Sequence, residues 1–375
     1  MKQLQMVDLK SQYQRIKPEI DAAIQGVIDS CQFVKGGEVK TFEAELAQYL
    51  GVKHVIGCGN GTDALQVALM ALGLKPGDEV ITTNFTFIAT VEVIALLGLT
   101  PVLVDVDEQT FNIDIEAVKQ AITPRTKAIV PVHLFGQCAN MEPLLQLAEK
   151  HGLYVVEDTA QGLGAEYRFS NGSVRKAGTM GTIGCTSFFP SKNLGCYGDG
   201  GALFTNDDQL AEQIRSLTNH GMKVRYHHDM IGVNSRLDTI QAAILRVKLP
   251  HLDEYNRARQ SAAEKYNAAL AGIDGLETPV TASFSTHIFH QYTLKVKNGQ
   301  RDALKQHLDN EKIPCMIYYP IPLHAQKAFE PYVSENQQFT VSEKLCGEVL
   351  SLPMHTELDD EQIGFITSAI RKFFV

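Results

Sequence analysis

Lys192 is the residue whose surroundings first suggest chemistry. It follows Ser187-Phe188-Phe189-Pro190-Ser191, and Gly195, Gly198, Gly200 and Gly201 come soon after it. A lysine desolvated by aromatic neighbours has a lowered pKa, and its neutral amine attacks carbonyl carbons. Asp158 closes the apolar run that begins near residue 153. A carboxylate there has little access to water and needs a cation or hydrogen bonds to stay charged, so a generic ion pair is the plain alternative to a functional role. Gln161, three residues on, also reads as a solvated helix residue, and Phe87 as core or as a stacking ring. A third feature is Gly57-Cys58-Gly59-Asn60-Gly61-Thr62-Asp63. It has neither the lysine of a Walker A loop nor the G-x-G-x-x-G spacing of a dinucleotide site. With Thr62 as a helix N-cap, its free N–H groups and helix dipole suit one phosphate, although the loop taken alone is a tight turn with a cap. A lysine nucleophile, a strand-end carboxylate, a stacking ring and a one-phosphate cradle are together what pyridoxal phosphate requires.

Those groups need a scaffold that brings distant sequence to one place. Short β-rich runs begin near 54, 79, 101, 127 and 153, with helical apolar spacing between them at 62–73, 87–97, 114–121 and 140–150. This rhythm predicts an α/β fold with a mostly parallel sheet, covered by helices on both faces. Ligands of such sheets bind beyond the carboxyl ends of the strands, where the residues above fall. Further strands are expected at 182–188 and 201–204, and helices at 207–219, 236–248 and 251–271. A leading helix is expected over 11–30, with Pro18 early in it. After about 275 the pattern changes to a smaller α+β unit, with strands at 291–297 and near 314–319 and helices at 300–310, 338–349 and 359–373. The expected division is a large cofactor-binding domain over 1–250 and a small domain over 251–375, bridged by the long 251–271 helix.

Composition narrows the function classes. The 375 residues include 34 Lys plus Arg against 43 Asp plus Glu, a net charge of −9 without a basic run, which favours a small-molecule ligand over nucleic acid. Apolar residues make up 44 %, enough for a large core and against wholesale disorder. Seven scattered cysteines with no CxxC pair argue against a disulfide framework or a zinc site and fit a reducing cytoplasm. The polar opening Met1-Lys2-Gln3-Leu4-Gln5 does not read as a signal peptide. The longest apolar stretch, 87–104, is interrupted by Glu92, Gly98 and Pro101 and does not read as a membrane span.

With these residues in place, the chain resembles the DegT/StrS-type sugar aminotransferases, which are fold-type-I pyridoxal-phosphate enzymes. The likeness covers nearly the whole sequence. It is carried by Phe42-Glu43, Gly59-Asn60-Gly61-Thr62-Asp63-Ala64-Leu65, Phe85-Thr86-Phe87, Pro131-Val132-His133, Glu157-Asp158 with Gln161, and Ser187-Phe188-Phe189-Pro190-Ser191-Lys192. It continues through Gly198-Asp199-Gly200-Gly201, Gly232-x-Asn234-x-Arg236, Gln291-Tyr292 and Tyr319-Pro320-x-Pro322-Leu323-His324. The resemblance implies that Lys192 holds pyridoxal phosphate covalently as an internal aldimine and that Asp158 pairs with the pyridine nitrogen. It implies that Gln161 bonds near the ring oxygen, Phe87 stacks on the ring, and Gly61, Thr62 and Ser187 bind the phosphate. Asn234 would join them from the partner subunit, so a homodimer with shared sites is expected. Relatives often carry proline after the lysine; Asn193 stands there, and only a small change in loop stiffness is expected.

Within that family, stretches such as Gly195-Cys196-Tyr197-Gly198-Asp199-Gly200-Gly201-Ala202 and Arg225-Tyr226-His227-His228 are similar to one subgroup. That subgroup aminates C3 of UDP-2-acetamido-2-deoxy-3-oxo-glucuronate with L-glutamate, for bacterial surface polysaccharide such as O-antigen lipopolysaccharide. A uronate calls for a fixed cation, and Arg236 is the candidate because its guanidinium fork matches a carboxylate; an intersubunit ion pair is equally open. Tyr318 and Tyr319 are placed as sugar contacts across the dimer, and His227-His228 as loop residues near the substrate, with no metal. The competing expectations are the same chemistry on a 4-keto-6-deoxy nucleotide sugar and a non-enzymatic cofactor-binding regulator.

Overall fold

The computed structural model describes residues 3–333 and 337–375. Helices α1 (Leu9–Arg15), α2 (Lys17–Ser30) and α3 (Gly37–Leu50) lead into the first strand, β1 (His54–Cys58). Then come α4 (Gly61–Ala71), β2 (Glu79–Thr83), α5 (Ala89–Leu96), β3 (Thr100–Val104), α6 (Ile115–Ala121), β4 (Thr126–Val130), α7 (Met141–His151) and β5 (Tyr154–Asp158). A hairpin of β6 (Glu166–Arg168) and β7 (Val174–Lys176) precedes β8 (Ile183–Ser187) and β9 (Gly201–Thr205). Helix α8 (Asp208–Leu217), the small hairpin β10 (Met222–Val224) and β11 (His227–His228), and helices α9 (Thr239–Lys248) and α10 (Leu252–Leu270) follow. The chain ends with β12 (Leu276–Glu277), β13 (Tyr292–Val296), α11 (Arg301–Asn310), α12 (Thr340–Glu348), β14 (Val349–Leu352) and α13 (Asp360–Phe374).

Seven strands form the central sheet in the order β1-β9-β8-β5-β4-β2-β3. Only β9 runs against its neighbours; the other six point one way, so their carboxyl ends share one edge. The β-α rhythm produces this because each strand is apolar on both faces and has to be covered by helices on both sides. All five residues of β2 and of β9 are buried. Helix α4 has Ala64, Leu65, Val67, Ala68 and Leu69 buried, because it packs on β8 and against both α5 and α8.

A second core lies in the C-terminal part. Ala262, Tyr266 and Leu270 of α10 pack there with Leu294 of β13, Leu304 and Leu308 of α11, Leu350 of β14 and Ile366 of α13. Leu4, from the chain's start, also belongs to it. Helix α10 ties the two cores together, since its first residue, Leu252, packs with Phe42 and Phe188 of the sheet unit. Three-stranded pairing of β12, β13 and β14 supports this second core.

Several local expectations change. The leading helix is two helices, broken at Ile16 (φ −120°, ψ 20°). Pro18 has no N–H to bond back into the preceding turn, so it takes its place in the first turn of a new helix. The stretch 314–319 is not a strand. Only Met316 pairs, exchanging two bonds with Ser351, after which the chain leaves the sheet and delivers Tyr318 and Tyr319 to the cavity described below. The helix expected over 338–349 ends at Glu348, and Val349–Leu352, absent from the expected elements beyond residue 349, is the strand β14; so short an apolar run carries no periodicity to mark it. Helix α3, which buries Phe42, Glu43 and Leu46, has no counterpart among the expected elements.

Candidate active site

A cavity of about 810 Å³ opens at the shared carboxyl edge, between the sheet and the segments around His290 and Tyr318. Residues from widely separated parts of the chain line it. Gly61 and Thr62 start α4, Phe87 follows β2, Asp158 ends β5, Ser187 ends β8, and Gln161, Lys192, Tyr318 and Tyr319 come from loops. Nine of the eleven residues singled out in the sequence are therefore brought together. Asn234 and Arg236 do not line this cavity.

The phosphate-sized corner is built by close approach. Asn60, and not Thr62, is the N-cap: its side chain accepts from the Asp63 N–H at 2.8 Å. Thr62 consequently sits in the first turn with Gly61, where helix geometry leaves backbone N–H groups without an intrahelical partner. A Cβ on Gly61 would lie 2.7 Å from the Ser187 Cβ, so glycine is what allows the helix start to meet the end of β8. The Ser187 hydroxyl lies beside this helix terminus, next to its bond from the Phe189 N–H.

Asp158 is 6 % exposed and is held by two hydrogen bonds in place of an ion pair. Its Oδ2 accepts from the Thr90 hydroxyl at 2.8 Å and its Oδ1 from the Ala160 N–H at 3.1 Å. These bonds aim the carboxylate while leaving acceptor capacity toward the cavity. Gln161 is fixed at both ends: its Oε1 accepts from the Phe135 N–H at 2.7 Å and its Nε2 donates to the Tyr319 hydroxyl at 3.2 Å. The second Nε2 hydrogen remains available. Phe87 is 55 % exposed, a flat apolar ring at the cavity mouth with nothing packed over it to satisfy it.

Lys192 reaches the cavity with no hydrogen bond or ion pair to its amine among the described residues. Burial lowers the amine from its ordinary 10.5 to about 8, and the negative charge of Asp158 opposes that shift. An amine in this state has a far larger neutral fraction near physiological pH than an ordinary lysine, and that fraction can act as a nucleophile or a base.

Two positions, Thr90 and His290, escaped the sequence analysis, and a third, Asn193, was given only a minor effect there. Thr90, the donor to Asp158, looks like an ordinary helix residue, one turn into the segment after Phe87. His290 and Asn193 are both buried and bonded to each other. The available signal was the polar His290-Gln291 pair at the head of an otherwise apolar strand. Asn193 does more than alter loop stiffness, since its amide donates to the Asn256 Oδ1 at 2.7 Å and to the Ile288 carbonyl at 3.3 Å.

The two outlying residues lie on the far side of the Gly57–Gly61 turn. Ser235 accepts from the Gly59 N–H at 2.8 Å and donates to Asp63 at 2.6 Å, and Leu237 packs over Gly57, so the 234–237 segment runs along the outside of that turn. Arg236 lies near Lys35 there, and neither cation has an ion pair among the described residues. Tyr318 and Tyr319 stand in the wall of their own chain's cavity. His227 and His228 form an exposed two-residue strand. Among the described residues no helix is long and apolar enough to cross a membrane.

The model of the DegT/DnrJ/EryC1/StrS aminotransferase family matches residues 14–371. The chain belongs to that family. Three curated relatives cover 98 % of this chain. They are a pleiotropic regulatory protein of Geobacillus stearothermophilus (48 % identity, 98 % of its length), a UDP-2-acetamido-2-deoxy-3-oxo-D-glucuronate aminotransferase of Pseudomonas aeruginosa (47 %, 99 %), and a UDP-N-acetyl-3-dehydro-alpha-D-glucosamine 3-aminotransferase of Acidithiobacillus ferrooxidans (48 %, 97 %). Among solved structures, S. venezuelae DesV in complex with a ketimine intermediate superposes with a TM-score of 0.95 at 42 % identity, covering 100 % of this chain and 99 % of that one. Bacillus subtilis NtdA with bound cofactor PMP gives 0.92 at 30 %, covering 100 % and 86 %. As a member of this aminotransferase family the protein is an enzyme of amino-group transfer, with the expected α/β architecture.

Proposed function

We propose that this protein is a pyridoxal-phosphate-dependent aminotransferase that takes its amino group from L-glutamate and places it on C3 of UDP-2-acetamido-2-deoxy-3-oxo-glucuronate. It acts as a homodimer in the cytoplasm and supplies bacterial surface polysaccharide. The observation that carries the reading is the Lys192 amine, desolvated, without a hydrogen-bond partner, and facing a cavity that also holds a hydrogen-bonded carboxylate and a helix N-terminus. The UDP-3-oxo-sugar relatives at 47 % and 48 % identity support the acceptor, and the PMP-bound neighbour supports the cofactor.

The residues fit that cofactor. The Gly61–Ser187 approach makes a corner too tight for any side chain at 61, as a phosphate held by backbone N–H groups requires. Bound pyridoxal phosphate supplies an electron sink for the carbanion left when an amino acid loses its α proton. Lys192 would hold the cofactor covalently. The Asp158 carboxylate, aimed by Thr90, keeps the pyridine nitrogen protonated. The free Nε2 hydrogen of Gln161 serves the ring oxygen, and Phe87 covers one ring face. Gly61, Thr62, Ser187 and the partner's Asn234 take the phosphate. With its amine free, Lys192 would take the α proton of glutamate, and in the second half of the cycle it would deliver a proton to C3 of the sugar. Tyr318 and Tyr319 line the space left for the sugar, and Arg236 reaches the uronate from across the dimer.

The homodimer is supported by surface composition. Phe33, Val34, Val224, Tyr226 and Ile231 are exposed large apolar residues that a subunit interface would cover. A regulatory role is suggested by the names of relatives alone.

The test is a visible absorption spectrum of the purified protein with pyridoxal phosphate, then with L-glutamate, then with the 3-oxo-uronate sugar nucleotide. The expected result is a yellow band that bleaches with glutamate and returns with the sugar. Bleaching without return overturns the acceptor; a band indifferent to glutamate overturns the donor in favour of a binding role; no band overturns the cofactor.

A further inference from the structure

We propose that His290 is a positioning residue for Lys192: its cavity-facing Nε2 accepts a hydrogen bond from the released Lys192 amine and holds it at the reacting carbon. The inference rests on the Lys192 assignment made above.

The tautomer follows from a chain of hydrogen bonds. The Asn193 amide nitrogen donates to the Asn256 Oδ1 at 2.7 Å and to the Ile288 carbonyl at 3.3 Å, which fixes the orientation of that amide. Its Oδ1 is therefore the atom that faces the His290 Nδ1, at 3.2 Å. An amide oxygen only accepts, so Nδ1 carries the hydrogen. Burial, with the positive charges of Lys192 and Arg259 beside it, pushes the His290 imidazolium well below its ordinary pKa, so the ring is neutral. A neutral ring protonated on Nδ1 leaves a bare lone pair on Nε2. His290 is 5 % exposed and lines the cavity, and no donor among the described residues meets that nitrogen.

The arrangement places an acceptor with no donor beside an amine with no acceptor, in the same cavity. The titratable and charged groups that face His290 are Lys192 and, from α10, Arg259; those that face Lys192 are His290 and Asp158. One terminal nitrogen of Arg259 donates to the carbonyls of Phe289, His290 and Met354. His290 cannot serve as a cation here and is suited only to accept. A long, rotatable lysine side chain gains a fixed direction from such a contact, which is what a base shuttling between two carbons needs. The unusual Asn193 acquires a role through this chain: it reaches the Lys192 amine by way of the imidazole.

Two substitutions separate this role from a structural one. His290→Gln sets an amide oxygen near the position of Nε2 but gives up the bond to Asn193. His290→Asn keeps a donor to Asn193 near the position of Nδ1 and leaves the cavity side without an acceptor. The proposal expects His290→Gln to exceed His290→Asn in kcat of the glutamate half-reaction by about tenfold or more, with KM for glutamate changed little. A second readout needs no turnover. In cofactor-free protein, Lys192 is labelled with an amine-reactive reagent across pH and quantified by peptide mass spectrometry. Loss of an acceptor disfavours the ammonium form, so the labelling midpoint moves to lower pH in His290→Asn and stays near wild type in His290→Gln. Equal midpoints in the two variants, or His290→Asn as active as His290→Gln, overturn the proposal while a normal cofactor band leaves Lys192 in its role. A wild-type protein with no cofactor band overturns both.

Discussion

The Thr90 hydroxyl donates to the Asp158 carboxylate at 2.8 Å, and both residues are almost completely buried, at 1 % and 6 % exposure. Thr90 lies in the first turn of α5 and Asp158 at the end of β5, 68 residues apart, so the bond exists only because the sheet order brings β2 and β5 to the same edge. No cation stands against Asp158 in a hydrogen bond or ion pair among the described residues. The carboxylate is aimed by neutral donors alone. Thr90→Val keeps the shape and removes the donor. A hydrogen bond to a charged group contributes about 1.5–3 kcal/mol. The glutamate half-reaction of Thr90→Val is therefore expected to slow by about tenfold or more, with cofactor binding retained. Stopped-flow absorbance measures this, and a rate within a factor of about two of wild type removes Thr90 from the positioning of Asp158.

Lys192 should show its burial in a pH profile. Its amine falls to about 8 because the cavity desolvates the charged form, which outweighs the nearby Asp158. Capture of pyridoxal phosphate by cofactor-free protein needs the neutral amine. The capture rate should then rise about tenfold per pH unit below pH 8 and level off above it. An ordinary lysine would keep the rate rising to about pH 10. Lys192→Ala should fold normally, develop no band and show no turnover; residual transamination would remove Lys192 from its role.

At Gly61 the expected defect is steric. A methyl group there meets the Ser187 Cβ at 2.7 Å, and both atoms belong to firmly placed elements, α4 and β8. Overpacking of this kind costs about 1–3 kcal/mol. Gly61→Ala should weaken cofactor binding, measured by fluorescence titration of the cofactor-free protein, more than it lowers the melting temperature of that protein. A cofactor affinity equal to wild type would exclude the corner as the phosphate site.

Arg236 is tested by comparing acceptors. If its guanidinium reads the uronate, Arg236→Ala should lose about tenfold or more in kcat/KM for the 3-oxo-uronate and much less for the corresponding sugar without the carboxylate. Equal losses would assign Arg236 to the interface between subunits. Sedimentation of the variant separates these outcomes, because an interface residue also shifts the dimer equilibrium.

Much of the fold was legible locally. The strands beginning near 54, 79, 101, 127 and 153 are observed within one residue of those starts, because a strand buried on both faces has to be a short apolar run. The elements misplaced were those whose state depends on a neighbour. Val349–Leu352 is a strand only because β13 pairs with it, and 314–319 fails to become one because only Met316 finds a partner. Pro18 was read as tolerated early in one helix over 11–30, whereas the chain ends α1 at Arg15 and starts α2 at Lys17.

The site divides in the same way. The types of Lys192, Asp158, Gln161, Ser187 and Gly61, and their positions after strands, were enough to place these residues at one sheet edge and to suggest cofactor chemistry there, because strand carboxyl ends converge wherever a parallel sheet forms. The bonds that tune those residues were not: Thr90 to Asp158, Tyr319 to Gln161, and Asn256 through Asn193 to His290 join segments 63 to 158 residues apart. A hydrogen bond forms over about 3 Å and depends on angle. Apolar periodicity, which sequence carries, determines which face is buried; only the packed tertiary structure decides which polar atoms meet to within that tolerance.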